Sequence, residues 1–168
     1  MILAADIGGT KTVLGIYSHE EGPHIPLAEA RFPSQGYASL ENIVTEFLTG
    51  KDFRLTRASI GVAGPVVGGC AQVTNLSWFV DASSLSQVLN GAPVYLLNDL
   101  SAVAHAIPFL QADDLETINP GEAASGGAKA VIAPGTGLGE GFLVWDGTRY
   151  QAAPSEGGHA DFAPNTPL

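Results

Sequence analysis

The residue types in this chain that could do chemistry gather in four short segments. The first is Asp6-Ile7-Gly8-Gly9-Thr10-Lys11-Thr12. Glycines lack a Cβ and let a phosphate come up against backbone N–H groups, Thr10 adds a hydroxyl donor, and Asp6 just ahead of the turn could orient Mg²⁺ through water. The same residues would also make a plain hairpin turn. They do not form a Walker loop, because the G-x-x-x-x-G-K-[ST] spacing is missing. The second segment, Gly135-Thr136-Gly137-Leu138-Gly139, repeats the glycine–threonine pattern. A dinucleotide fingerprint fails there, since Glu140 and Phe142 stand where its last glycine would fall, which argues against a Rossmann-type oxidoreductase. Two such loops on two lobes could clamp a polyphosphate through neutral N–H donors. That suits a chain with 7 Lys+Arg against 17 Asp+Glu and a net charge of −10.

The third segment is Asn98-Asp99, directly after the apolar run Pro93 to Leu97. Open α/β sheets bind ligands outside the carboxyl ends of their strands, and a carboxylate there could take a hydroxyl proton as general base, a role worth about 10²–10⁴-fold in rate. Capping the following helix is the competing use of the same carboxylate. The fourth segment is Glu156-Gly157-Gly158-His159-Ala160-Asp161-Phe162. Glu and His three apart around a Gly-Gly turn can aim two hydrogen-bonding side chains at one polyol. As a metal pair they lack a third ligand close in sequence. His19, His24 and His105 take no role in this reading.

These segments need elements to hold them. Ile2 to Asp6 and Thr12 to Tyr17 read as antiparallel strands with the first glycines at their tip, and a third strand is expected from Ile25 to Phe32. Ser39 is placed to cap a helix whose apolar face is Leu40, Ile43, Val44, Phe47 and Leu48, with Gly50 to end it. Arg57 to Val62 is the next strand, stopped by Ala63-Gly64-Pro65, and a Gly68-Gly69 turn leads to a further strand through Val73. Ser83 or Ser84 should cap a short helix carrying Leu85, Val88 and Leu89 and closed by Asn90-Gly91. Pro93 to Leu97 reads as a strand covered on both faces, followed by a helix from Ser101 to Leu110 whose last turn Pro108 must distort. Beyond the linker-like Gly121 to Gly127, Ala130 to Ala133 and Phe142 to Trp145 are strands, with Asp146-Gly147 as a hairpin turn.

At 168 residues, 45% hydrophobic and 14% charged, the chain is long and apolar enough to fold around a core. Its acidity excludes a broad electrostatic grip on nucleic acid or on an anionic membrane surface. A lone cysteine, Cys70, excludes an internal disulfide framework and a multi-thiolate zinc site and suits a reducing compartment. No apolar run approaches the roughly 20 residues of a membrane helix, and no basic-then-apolar leader is read at the N-terminus, so a cytoplasmic protein is expected.

The chain resembles the bacterial glucokinase family, within the hexokinase and actin-like ATPase superfold. The resemblance rests on DIGGTKT at Asp6 to Thr12, TNLSW at Thr74 to Trp78, LNDLSAVAHAIPFL at Leu97 to Leu110, PGTGLGEGFL at Pro134 to Leu143 and EGGHADFAPNT at Glu156 to Thr166. These fall in the family's order and cover essentially the whole chain. Lys-Thr after Gly-Gly-Thr is also similar to the repressor–kinase–open-reading-frame sugar kinases, but the EGGHADFAP form and the lack of a cysteine-rich zinc motif favour the first group. The resemblance implies an α/β, ribonuclease H-like small domain with a mixed sheet flanked by helices over residues 1–112. A linker over 113–127 and the first strands of a second, similar lobe over 128–168 would follow.

The activity so implied is that of an ATP:hexose 6-phosphotransferase, moving the γ-phosphoryl of ATP to the 6-hydroxyl of glucose with Mg²⁺. Asp99 matches the family's general base. Asn98, Glu156 and His159 match ligands of the sugar hydroxyls, and Asn75 lies in a segment near the sugar. Gly8, Gly9 and Thr10, with Asp6 beside them, match the first phosphate loop, and Gly135, Thr136 and Gly137 match the second. Family members are longer, so the chain is expected to be the N-terminal part of such an enzyme, ending before another sugar-binding glutamate, the adenine-binding segment and a terminal helix. A noncatalytic sugar-binding or regulatory module of the same fold, or a related kinase for another sugar or small acid, are the alternatives. Open edges on the Ala130 to Trp145 hairpin would favour self-association, so a homo-oligomer is expected.

Overall fold

Apolar residues alternate through Leu3, Ala5 and Ile7 and again through Leu14 and Ile16, so each run offers one face to a core. They form β1 (Ile2–Ile7) and β2 (Lys11–Tyr17), antiparallel, with Leu3 opposite Ile16 and Ile7 opposite Thr12. The computed structural model describes residues 1–122, 124–134, 138–155 and 157–160. The third strand, β3 (Ala28–Pro33), starts later than the expected Ile25, because Pro26 has no N–H to give a ladder. Helix α1 (Leu40–Leu48) buries Leu40, Ile43, Val44 and Phe47. Ser39 holds the N-cap position, but its hydroxyl bonds the Asn42 side chain at 3.2 Å and makes no cap bond to a backbone N–H.

Next, β4 (Arg57–Val62) pairs parallel to β1, with Ile7 opposite Val62. A small second sheet follows: β5 (Val66–Val67), β6 (Cys70–Gln72) and β7 (Phe79–Asp81), the last too short to show an alternation in sequence. Helix α2 (Ala82–Val88) is capped by Asp81 rather than by Ser83 or Ser84. The Asp81 carboxylate accepts from the Ser83 N–H at 2.9 Å and from the Ser84 hydroxyl at 3.1 Å, so both serines lie inside the helix as donors. β8 (Val94–Asn98) pairs parallel to β4 at the end of the order β3-β2-β1-β4-β8. The expectation of a strand covered on both faces fails here, since Tyr95 is 58% exposed.

The face of this sheet that carries Leu3, Ile7, Leu14, Ile16, Ile60 and Val62 forms a buried core with α1 and with Leu85 and Leu89. Helix α3 (Asp99–Ala106) begins two residues before the expected Ser101, and Pro108 converts its expected last turn into a 3₁₀ turn over Ile107–Phe109. The remaining strands are β9 (Lys129–Pro134), β10 (Leu138–Trp145) and β11 (Tyr150–Ser155), in the order β11-β10-β9. β10 starts at Leu138 rather than Phe142. Its Gly139 and Gly141 are strand residues because Leu100 occupies the space above them, a Cβ on Gly139 meeting the Leu100 side chain at 3.3 Å.

The chain separates into two compact units, Met1–Asp99 and Leu100–Leu168. Leu100, Ala104 and Ile107 pack with Val131 and Leu143 in the core of the second unit.

Candidate functional site

Parallel pairing of β1, β4 and β8 brings their carboxyl ends to one end of the first unit's sheet, where Val62 stands opposite both Ile7 and Asn98. Chain segments leaving a parallel sheet at that end are the usual place for ligands. Asp6 is the penultimate residue of β1, and Gly8-Gly9-Thr10 is the turn into β2. That turn is pinned by Gly8 N–H to Lys11 O at 3.0 Å and by Ser34 N–H to Thr10 O at 3.0 Å.

Backbone bonds carry Asn75 to the same place. Ala63 N–H donates to Ile7 O at 3.1 Å, and Thr74 N–H donates to Ala63 O at 2.8 Å. A Cβ on Gly9 would lie 3.2 Å from the Asn75 Cβ and 3.3 Å from Thr74 O, so a side chain at position 9 would press on the Asn75 loop that lies against the turn. Asn75 itself takes a left-handed φ of 64°, a conformation Asn tolerates better than most residues. Its loop is closed by Val73 N–H to Trp78 O at 3.0 Å and anchored by buried Trp78, whose indole N–H reaches Tyr37 O at 3.0 Å.

Asn98 ends β8 and Asp99 begins α3. The Asn98 amide donates to Gly64 O at 3.2 Å and to Asp99 Oδ1 at 2.9 Å, which aligns the Asp99 carboxylate. Gly64 has φ +145°, and a Cβ there would fall 2.6 Å from Gln72 O, so glycine alone fits the position. The pairing Asn98–Asp99 is thus held by the loop that also leads to Asn75. Asp99 is the first residue of α3.

Asp6 reaches solvent but is hemmed in by enough protein to lose hydration, which raises its pKa above the ordinary carboxylate value. The Asp99 charge pushes it the same way, and Lys11 opposes both. Asp6 and Asp99 therefore share one electrostatic environment. Among the described residues no group of three or more His, Cys, Asp or Glu is placed to hold a metal ion. No helix there is long and apolar enough to cross a membrane.

The structure brings Asp6, Gly8, Gly9, Thr10, Asn75, Asn98 and Asp99 together. Gly135, Thr136, Gly137 and Glu156 lie outside the described residues, as does the side chain of His159, whose backbone closes the turn Gly157–His159. Sequence reasoning gave no such role to Ser34, Gly64 or Trp78, which hold the site from behind. Gly64 was marked only as part of the Ala63-Gly64-Pro65 stop after β4, and Trp78 only as the end of the Thr74 to Trp78 motif.

The glucokinase family model matches residues 3–168. The chain belongs to the glucokinase family. It is 41% identical over 171 residues to the glucokinase of Nostoc punctiforme, an overlap covering 100% of this chain and 50% of that protein. Among solved structures, the glucokinase of an Antarctic psychrotroph superposes with a TM-score of 0.83 at 32% identity, covering 98% of this chain and 52% of the other. The glucokinase of Balamuthia mandrillaris, in complex with glucose, has the same fold with a TM-score of 0.77 at 22% identity, over 99% of this chain and 50% of that one. The chain spans about half the length of the curated glucokinases it matches. Its mixed sheet with flanking helices is that of glucokinases, an actin-like ATPase fold.

Proposed function

We propose that this chain is part of an enzyme that transfers the γ-phosphoryl group of ATP to the 6-hydroxyl of glucose. The observation that carries this reading is the Asn98–Asp99 pair, its carboxylate aligned at 2.9 Å, at the strand ends that also hold the Gly8–Thr10 turn. Asp99 accepts the hydroxyl proton as the sugar oxygen attacks. Phosphoryl transfer asks chiefly for positioning and charge stabilisation, so modest help from one carboxylate suffices.

Asn75, Asn98, Glu156 and His159 hydrogen-bond the sugar hydroxyls, with Asp99 holding the one that reacts. Polar groups of this kind reject a sugar lacking the matching hydroxyl, because they would be left unpaired. Gly8, Gly9 and Thr10, and separately Gly135, Thr136 and Gly137, offer N–H and hydroxyl donors to the phosphates of ATP. The carboxylate of Asp6 is the hard oxygen donor that Mg²⁺ prefers and would hold the ion through water, where it would neutralise phosphate charge. An ATP-dependent reaction and the lone thiol of Cys70 both suit the cytoplasm.

The test is Mg²⁺- and ATP-dependent formation of glucose 6-phosphate by this chain and by one extended to the length of its relatives, each beside Asp99→Asn. Asp99→Asn should lower turnover by about 10²-fold or more while calorimetry still registers glucose. Near-normal turnover in Asp99→Asn would remove Asp99 as base. Glucose binding with no phosphoryl transfer at either length would favour a noncatalytic sugar-binding module.

A further inference from the structure

Thr12 and Ser34 are buried hydroxyls, each 0% exposed, in a core otherwise built from apolar side chains. The Ser34 hydroxyl donates to Gly8 O at 2.8 Å, and its oxygen lies 3.0 Å from Thr12 Oγ1. A hydroxyl has one proton to give, so with Ser34 committed to Gly8, the Thr12 hydroxyl must donate to Ser34. The Ser34 N–H meanwhile holds Thr10 O at 3.0 Å. One residue therefore grips the carbonyls at both ends of the Gly8-Gly9-Thr10 turn.

That grip has a directional consequence. In a planar trans peptide the C=O of one residue and the N–H of the next point to opposite sides. With Gly8 O turned onto Ser34, the Gly9 N–H points away from Ser34, and with Thr10 O turned the same way, so does the Lys11 N–H. Ala and Val would fill the same space but would leave the Gly8 carbonyl without this donor, so the hydroxyls serve the turn and not the packing. We propose that Ser34, oriented by Thr12, is a positioning residue that aims the backbone donors of the Gly8–Thr10 turn at a bound phosphate. The inference rests on reading that turn as the phosphate cradle of the proposed kinase.

The test compares Ser34→Ala, Thr12→Val, the double variant and Thr12→Ser with the unchanged chain by amide hydrogen exchange and by titration with Mg²⁺–AMPPNP. The double variant removes the Thr12 hydroxyl that Ser34→Ala alone would leave without its acceptor, and keeps the test open if that single variant folds poorly. Expected are exchange about tenfold faster at Gly8 and Ser34, whose N–H groups are hydrogen-bonded within the turn, unchanged exchange in β1 and β4, and a Kd for Mg²⁺–AMPPNP raised about tenfold, with Thr12→Ser restoring both. An unchanged turn and Kd in the double variant would overturn the proposal, as would exchange rising evenly through the whole first unit. If the unchanged chain fails to bind Mg²⁺–AMPPNP, the same titration is made on the chain extended to the length of its relatives; failure there too removes the kinase reading, and the exchange comparison alone then decides whether Ser34 orders these amides.

Discussion

Asp6 shows how a single side chain registers its surroundings. Lost hydration and the nearby Asp99 charge both favour its protonated form, so its pKa lies above the ordinary 3.8. A carboxyl whose pKa is higher folded than unfolded binds its proton more tightly in the folded state, and stability falls as pH rises through the folded value. Asp6→Asn should therefore raise the melting temperature at neutral pH, and the gain should shrink as the pH is lowered toward 3.8. A variant less stable than the parent at pH 7 would contradict the upward shift of Asp6. The place of Asn98 and Asp99 was legible, because they follow the apolar run Pro93 to Leu97 directly. Ser34 was not, because serine is ordinary in loops and its partners Gly8 and Thr12 lie 26 and 22 positions away.

Elements were read best where periodicity was long and worst where a side chain from elsewhere decided the boundary. The α1 pattern was plain, whereas β10 hid behind two glycines that make sense only beneath Leu100. The hairpin from β10 to β11 was anchored as expected at Asp146-Gly147. The Asp146 carboxylate accepts from the Gln151 amide at 2.8 Å and from the N–H groups of Arg149 and Thr148, which pulls its pKa down to about 2. Such a group contributes stability above the ordinary 3.8 and loses it as pH falls toward 2. The Asp146 carboxyl resonance should titrate with a midpoint near 2, and the hairpin's amides should lose protection only in that range. A midpoint near 4 would mean that these bonds do not form in solution.

At the scale of the whole chain, the second unit leaves much apolar surface uncovered: Ile132 is 65% exposed, and Phe142, Val144 and Trp145 join it. Its outer strands β9 and β11 also end the sheet order there. Apolar strands at a sheet edge invite pairing with another copy, and a charge on the edge suppresses it. The chain should associate in a concentration-dependent way in light scattering, and Ile132→Lys should weaken the association. A monomer at all concentrations would remove it. What the sequence by itself determined was the inventory of chemistry and its order: two glycine–threonine segments, the Asn98-Asp99 pair, the acidic balance and the family these motifs resemble. Those follow from residue type and short spacing, which no fold is needed to see. The tertiary structure decided which residues meet: Gly9 against Asn75, Gly64 beneath Asn98, Ser34 behind the turn, and α3 in the second unit's core. Such contacts join segments far apart in the chain, and backbone pairing and close packing choose them, leaving no local signature to read.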